Sequence, residues 1–110
     1  MKYKITDRQL DNVIFLYLDN QDFIQIEIGD SIYFVNSKGD EYAQIRYDKN
    51  DGWCGILRKL SREVSSFFSL DKADSRQAIS RWVENTLQME VSSAGKFPFG
   101  TERTLRIPRK

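Results

Sequence analysis

The chain has 110 residues, with 17 basic and 16 acidic side chains for a net charge of +1, one cysteine and no histidine. That length suits one compact domain and is too short for two independent cores. The absence of histidine excludes an imidazole zinc site, a Ser-His or Cys-His nucleophilic pair and an imidazole pH switch, and Cys54 alone excludes an intrachain disulfide.

Hydrophobic residues make up 40% of the chain, enough for a real core and against disorder. Residues 1–8 carry charge where a signal peptide needs an apolar run. The longest apolar run, Val13 to Leu18, has six residues, against roughly 20 needed to span a bilayer. A lone cysteine suits a reducing compartment. The expectation is a cytoplasmic protein with no membrane partner.

The spacing predicts a helix over residues 6–19. Thr6 and Gln9 form a capping box, Ile5 and Leu10 a hydrophobic staple, and Leu10, Val13, Ile14, Tyr17 and Leu18 keep helical spacing. The run Val13–Leu18 also fits a buried strand, but the terminus signals favour helix. A turn at 19–22 precedes Phe23-Ile24-Gln25-Ile26-Glu27-Ile28, whose alternation marks a half-buried strand. Ile32–Val35 and Glu41–Tyr47 read as second and third strands, separated by Gly29-Asp30 and by a turn around Gly39. Next, Trp53, Ile56, Leu57, Leu60, Val64, Phe67 and Phe68 form one helical stripe. Asp74 and Gln77 are read as the capping box of a last helix with apolar residues Ala78, Ile79, Trp82, Val83 and Leu87. Residues 91–110 follow as a basic extension with a short extended stretch at 104–107.

The predicted architecture is therefore α+β: a three-stranded antiparallel meander with packed helices, in the order α-β-β-β-α-α, over a single domain of residues 1–90. A two-residue loop at Gly29-Asp30 would put the isoleucines of the first strand with Tyr33 and Val35, opposite the apolar row of the third. A bulge at Gly29 slips the register by one and gathers Ile24, Ile26, Ile28, Ile32, Phe34, Ala43, Ile45 and Tyr47 on one face. That register is the expectation; a sheet covered on both sides is the alternative. The other face then carries Phe23, Gln25, Glu27, Tyr33, Val35, Tyr42, Gln44 and Arg46. So many large apolar groups call for a partner or for cover by the first helix or by Phe97 and Phe99.

Signals for catalysis are thin. Residues 48–52 lack the ligand spacing of a calcium loop and read as a polar turn. Cys54 is placed at a helix start, where the dipole would lower its pKa, but without a histidine it reads as a buried packing thiol. No phosphate-cradling glycine motif is present. No enzyme, cofactor or metal is expected.

Charge is more informative. Residues 1–51 carry −4, residues 52–90 carry +1 and residues 91–110 carry +4. The order helix-strand-strand-strand-helix over residues 6–68 resembles the double-stranded-RNA-binding domain. That family contacts RNA through a long first loop and a lysine-rich start to its last helix. Here the loop is two or three residues around Gly29-Asp30, and the helix is read to start at Gly52-Trp53-Cys54-Gly55 with no lysine cluster until Lys59. The resemblance is one of topology and does not carry the function over.

Two functions follow as expectations. The leading one is an interaction or inhibitory accessory protein that binds another protein, or itself, through Phe23, Tyr33, Tyr42 and Arg46 on the outer sheet face. The alternative is a nucleic-acid-binding accessory protein using Arg58, Lys59, Arg62, Arg103, Arg106, Arg109 and Lys110.

Overall fold

In the computed structural model, residues 7–37, 39–91, 93–94 and 105–108 are described. The elements run α1 (Asp7–Asp19), β1 (Ile24–Ile28), β2 (Ser31–Val35), β3 (Ile45–Asp48), β4 (Trp53–Ile56), α2 (Arg58–Phe68), α3 (Lys72–Leu87) and β5 (Ser93–Ala94). The sheet order is β1-β2-β3-β4-β5; the first four strands are antiparallel neighbours, and the two-residue β5 joins β4 in parallel. Among the described residues the chain is thus a small α+β domain with three helices, but its antiparallel meander has four strands, not three.

The additional strand comes from residues expected to begin a helix. Trp53, Ile56 and Leu57 have helical spacing, yet Trp53–Ile56 pairs along its length with β3. Strand alternation explains the burial: Cys54 and Ile56 join the helix-side core, while Trp53 and Gly55 face the other way. Gly55 leaves room for the Trp53 ring, because a Cβ there would sit 2.4 Å from Trp53 Cη2. The helix begins only at Arg58. This fourth strand also separates the chain from the double-stranded-RNA-binding order.

The register corrects a second expectation. Ile28 pairs with Ser31 and Ile26 with Tyr33, so the β1–β2 loop has two residues and no bulge. Gly29 adopts φ +60°, at the first central position of the turn, as a type II′ hairpin requires. The sheet is consequently packed on both sides. Toward the helices it presents Ile32, Phe34, Ile45, Tyr47, Cys54 and Ile56, which meet Ile14 and Leu18 of α1, Leu60 and Val64 of α2, and Ala78, Ile79, Trp82 and Val83 of α3. Phe23 belongs to this side. It sits edge-on to Phe34 and Trp82, with ring centroids 6.3 and 5.7 Å away.

The outer side gathers Tyr33, Val35 and Ala43 with Ile24, Ile26, Ile28 and Leu57, closed by Leu105 and Ile107. The third strand was expected from Glu41, but β3 starts at Ile45. Residues 41–43 pair instead with the basic extension: Ala43 N donates to Leu105 O (2.8 Å), Ile107 N donates to Glu41 O (2.9 Å), and Tyr42 bridges to Arg106. This pairing places Leu105 and Ile107 against the sheet.

The helices are fixed by polar contacts at their ends and flanks. Asp71, not Asp74, caps α3, accepting from Asp74 N at 2.7 Å. Arg81 of α3 grips Asp11 of α1 with two bonds of 2.8 and 2.9 Å, and Trp82 Nε1 donates to Asp19 at 2.9 Å. The α1 cap proposed at Thr6 and its Ile5 staple lie outside the described residues.

Candidate functional site

The outer sheet face is filled by the chain itself. Tyr33 stands opposite Arg46, which stands opposite Gly55. The Arg46 guanidinium lies 5.5 Å from the Tyr33 ring centroid and 5.8 Å from that of Trp53, a cation between two aromatic faces. Its Nε donates to Asp48 Oδ1 at 2.9 Å, and Ser31 Oγ donates to the same oxygen at 2.6 Å. The tyrosine, tryptophan, arginine and aspartate therefore hold one another.

Of the four residues expected to form a protein-binding face, only Tyr42 offers much surface. Phe23 lies on the helix side, because the two-residue hairpin shifts β1 by one position relative to the expected register. Tyr33 is 2% exposed and Arg46 is half-buried in the stack. Tyr42 keeps 38% of its surface. Neither α1, which packs on the opposite side, nor Phe97 and Phe99, which lie outside the described residues, provides the described cover; Leu105 and Ile107 do.

The exposed apolar surface lies elsewhere. Phe67, on the last turn of α2, is 68% exposed, and Leu16 and Val13 of α1 are 61% and 47% exposed. Val13, Leu16 and Tyr17 share one face of α1 through their three- and four-residue spacing. The Tyr17 ring meets Phe67 at 5.1 Å and Phe68 at 5.6 Å, and Phe67 meets Phe68 at 4.9 Å. The two helices thus present one apolar patch, with exposed Asn20 and Glu63 one turn from Leu16 and Phe67. Burial pushes the Tyr17 hydroxyl pKa up, and the nearby Glu63 carboxylate adds to this, so Tyr17 contributes as a neutral ring.

Sequence reasoning placed Phe67 in a core stripe and overlooked Leu16. A signal was available: six consecutive apolar residues, Val13–Leu18, cannot all face inward at about 100° per residue. Once Ile14 and Leu18 are fully buried, Val13 and Leu16 turn outward.

The basic residues divide. Arg58, Lys59 and Arg62 are exposed on the first turns of α2 and form no ion pair among the described residues. Arg106 is paired with Glu41 at 3.2 Å. Arg103, Arg109 and Lys110 lie outside the described residues. Cys54 is buried in β4, not at a helix start, and burial pushes its thiol up to about 12 rather than down. Among the described residues, no group of three His, Cys, Asp or Glu side chains could hold a metal ion, and no helix is long and apolar enough to cross a membrane.

Compared with protein-family models, curated proteins and solved structures, the chain matches none.

Proposed function

We propose that this chain is a small non-catalytic module that binds another protein through the patch formed by Val13, Leu16, Tyr17 and Phe67. The observation that carries this reading is Phe67: a ring 68% exposed and in tilted contact with Tyr17, whose helix also leaves Leu16 61% exposed. Fully burying a Leu or Phe side chain is worth about 1.5–3 kcal/mol, and a docked partner would recover the part of this that the exposed fraction leaves in water. An apolar centre with polar residues at its margin is the composition of an interface. In this reading the previously expected anchors Tyr33 and Arg46 are structural, and Tyr42 lies outside the binding patch.

The alternative is nucleic-acid binding. It is supported by Arg58, Lys59 and Arg62, three exposed cations in a helix start that has no side-chain cap and no acidic residue in its first turn. Cations there oppose the helix dipole, and phosphate would relieve that opposition.

Capture from a lysate of the source cell, using two paired variants, separates the readings. A partner lost with Leu16→Ser/Phe67→Ser, and retained with Arg58→Glu/Arg62→Glu and in 0.5 M salt, is the expected result. A partner that survives the first pair but is removed by nuclease, by salt or by the second pair would favour nucleic acid instead.

A further inference from the structure

The outer edge of β1 suggests a contact separate from the helix patch. β1 stands at one end of the sheet, and among the described residues no strand pairs with its free edge. Edge strands are commonly blunted by proline, by charged side chains, most often lysine, or by a bulge. The β1 sequence Ile-Gln-Ile-Glu-Ile has no proline or lysine, its one charge, Glu27, is paired with Lys49, and its pairing with β2 runs without a bulge.

Its hydrogen-bonding parity follows from two contacts. The two-residue loop makes Ile28 and Ser31 a bonded pair. On the other flank of β2, Lys49 N donates to Asp30 O at 2.8 Å, so Asp30 turns toward β3 and Ser31 toward β1. Along β1, therefore, Ile24, Ile26 and Ile28 turn their backbone groups to β2. Gln25 and Glu27 turn theirs to the open edge.

We infer that β1 pairs antiparallel with β1 of a second copy, with Ile26 opposite Ile26. Three registers match outward residues to outward residues. One sets Glu27 against Glu27 and repels. Another sets Gln25 against Gln25 and carries Glu27 past the facing strand. Centring on Ile26 sets Gln25 against Glu27 at both ends, which gives four backbone hydrogen bonds and places an amide donor beside each carboxylate. Glu27 keeps its ion pair with Lys49 on its own chain. The same two-fold arrangement joins the half-buried isoleucines of both copies into one row of six across the outer faces. The occupant is a second copy because the strand is complementary to itself in this one register.

Sedimentation at increasing concentration, combined with cross-linking by oxidised glutathione, tests the inference. The expected result is a dimer in which Ile26→Cys links covalently and Gln25→Cys does not. Facing residues of a non-hydrogen-bonded pair lie about 4.5 Å apart, within disulfide reach, whereas Gln25 faces Glu27. Gln25→Glu sets two pairs of carboxylates face to face and should weaken the dimer about tenfold. Gln25→Lys should strengthen it, and Phe67→Ser should leave it unchanged. A monomer at all concentrations overturns the inference. So does a dimer that ignores both Gln25 substitutions, or one lost with Phe67→Ser, which would place the contact on the helix patch.

Discussion

The helix side of the sheet is sealed by side chains from three helices, whereas the outer side is sealed by the loop after β2 and by two residues of the basic extension. The first seal is made of large interlocking rings, with Phe34 and Trp82 at 5.4 Å and Phe23 against both. The second depends on Leu105 and Ile107, held by backbone bonds to Glu41 and Ala43, and on one arginine clasped between two rings. An apolar outer face is therefore not by itself a binding face; a short segment from the far end of the chain can close it. Among the described residues the most open large apolar side chains, Phe67, Leu16 and Val13, are on the helices, where α1 has more apolar residues than its buried face can take.

The two seals should fail differently. Phe34→Ala empties the centre of the ring cluster and is expected to cost about 3–5 kcal/mol, with all elements melting together in a denaturant titration. Leu105→Ala should cost about 2–4 kcal/mol and first release hydrogen-exchange protection in β1 and β2, while α1 and α3 stay protected. A uniform loss of protection in the second variant would make the outer cover part of the main core.

Gly55→Ala is a finer probe of the outer side. The added methyl meets the Trp53 ring, so the ring must leave its place beside Arg46. A loss of about 1–3 kcal/mol and a shift in tryptophan fluorescence are expected. No fluorescence change would mean that the ring is not held there.

The helix side also carries a pH signature. Burial raises the pKa values of both Cys54, to about 12, and Tyr47, whose hydroxyl donates to Glu90 O at 2.7 Å. Above the ordinary thiol value of 9.0 the unfolded chain loses the Cys54 proton while the folded chain keeps it, so stability falls as pH rises from there toward 12. Cys54→Ala should flatten that fall between pH 9 and 10.5, measured as the denaturation midpoint. An unchanged slope would remove the thiol as its source.

Much of the fold was legible in the sequence. The first and last helices follow from helical spacing, and both strands of the first hairpin from alternation and turn residues, although α3 starts from a cap at Asp71 rather than Asp74. β4 was not legible, because Trp53, Ile56 and Leu57 imitate a helical stripe and only pairing with β3 selects the strand. The register was misread for a related reason. Gathering all the isoleucines on one face assumed a single core, whereas the chain builds a second one from Leu105 and Ile107, about 80 residues away along the sequence from β1. The residues expected to share one face part with it, since Phe23 packs against one core and Tyr33 lies in the other. Arg58, Lys59 and Arg62, offered by the sequence as candidate phosphate contacts, are exposed, and no ion pair engages them among the described residues.

Hydroxyl-radical footprinting of the free chain tests most directly which surface is open. Relative to each residue's intrinsic reactivity, Leu16 and Phe67 should be oxidised most readily, Tyr42 less so, and Tyr33 should be protected until the chain unfolds. Ready oxidation of Tyr33 with protection of Phe67 would contradict the account and return the interaction surface to the sheet.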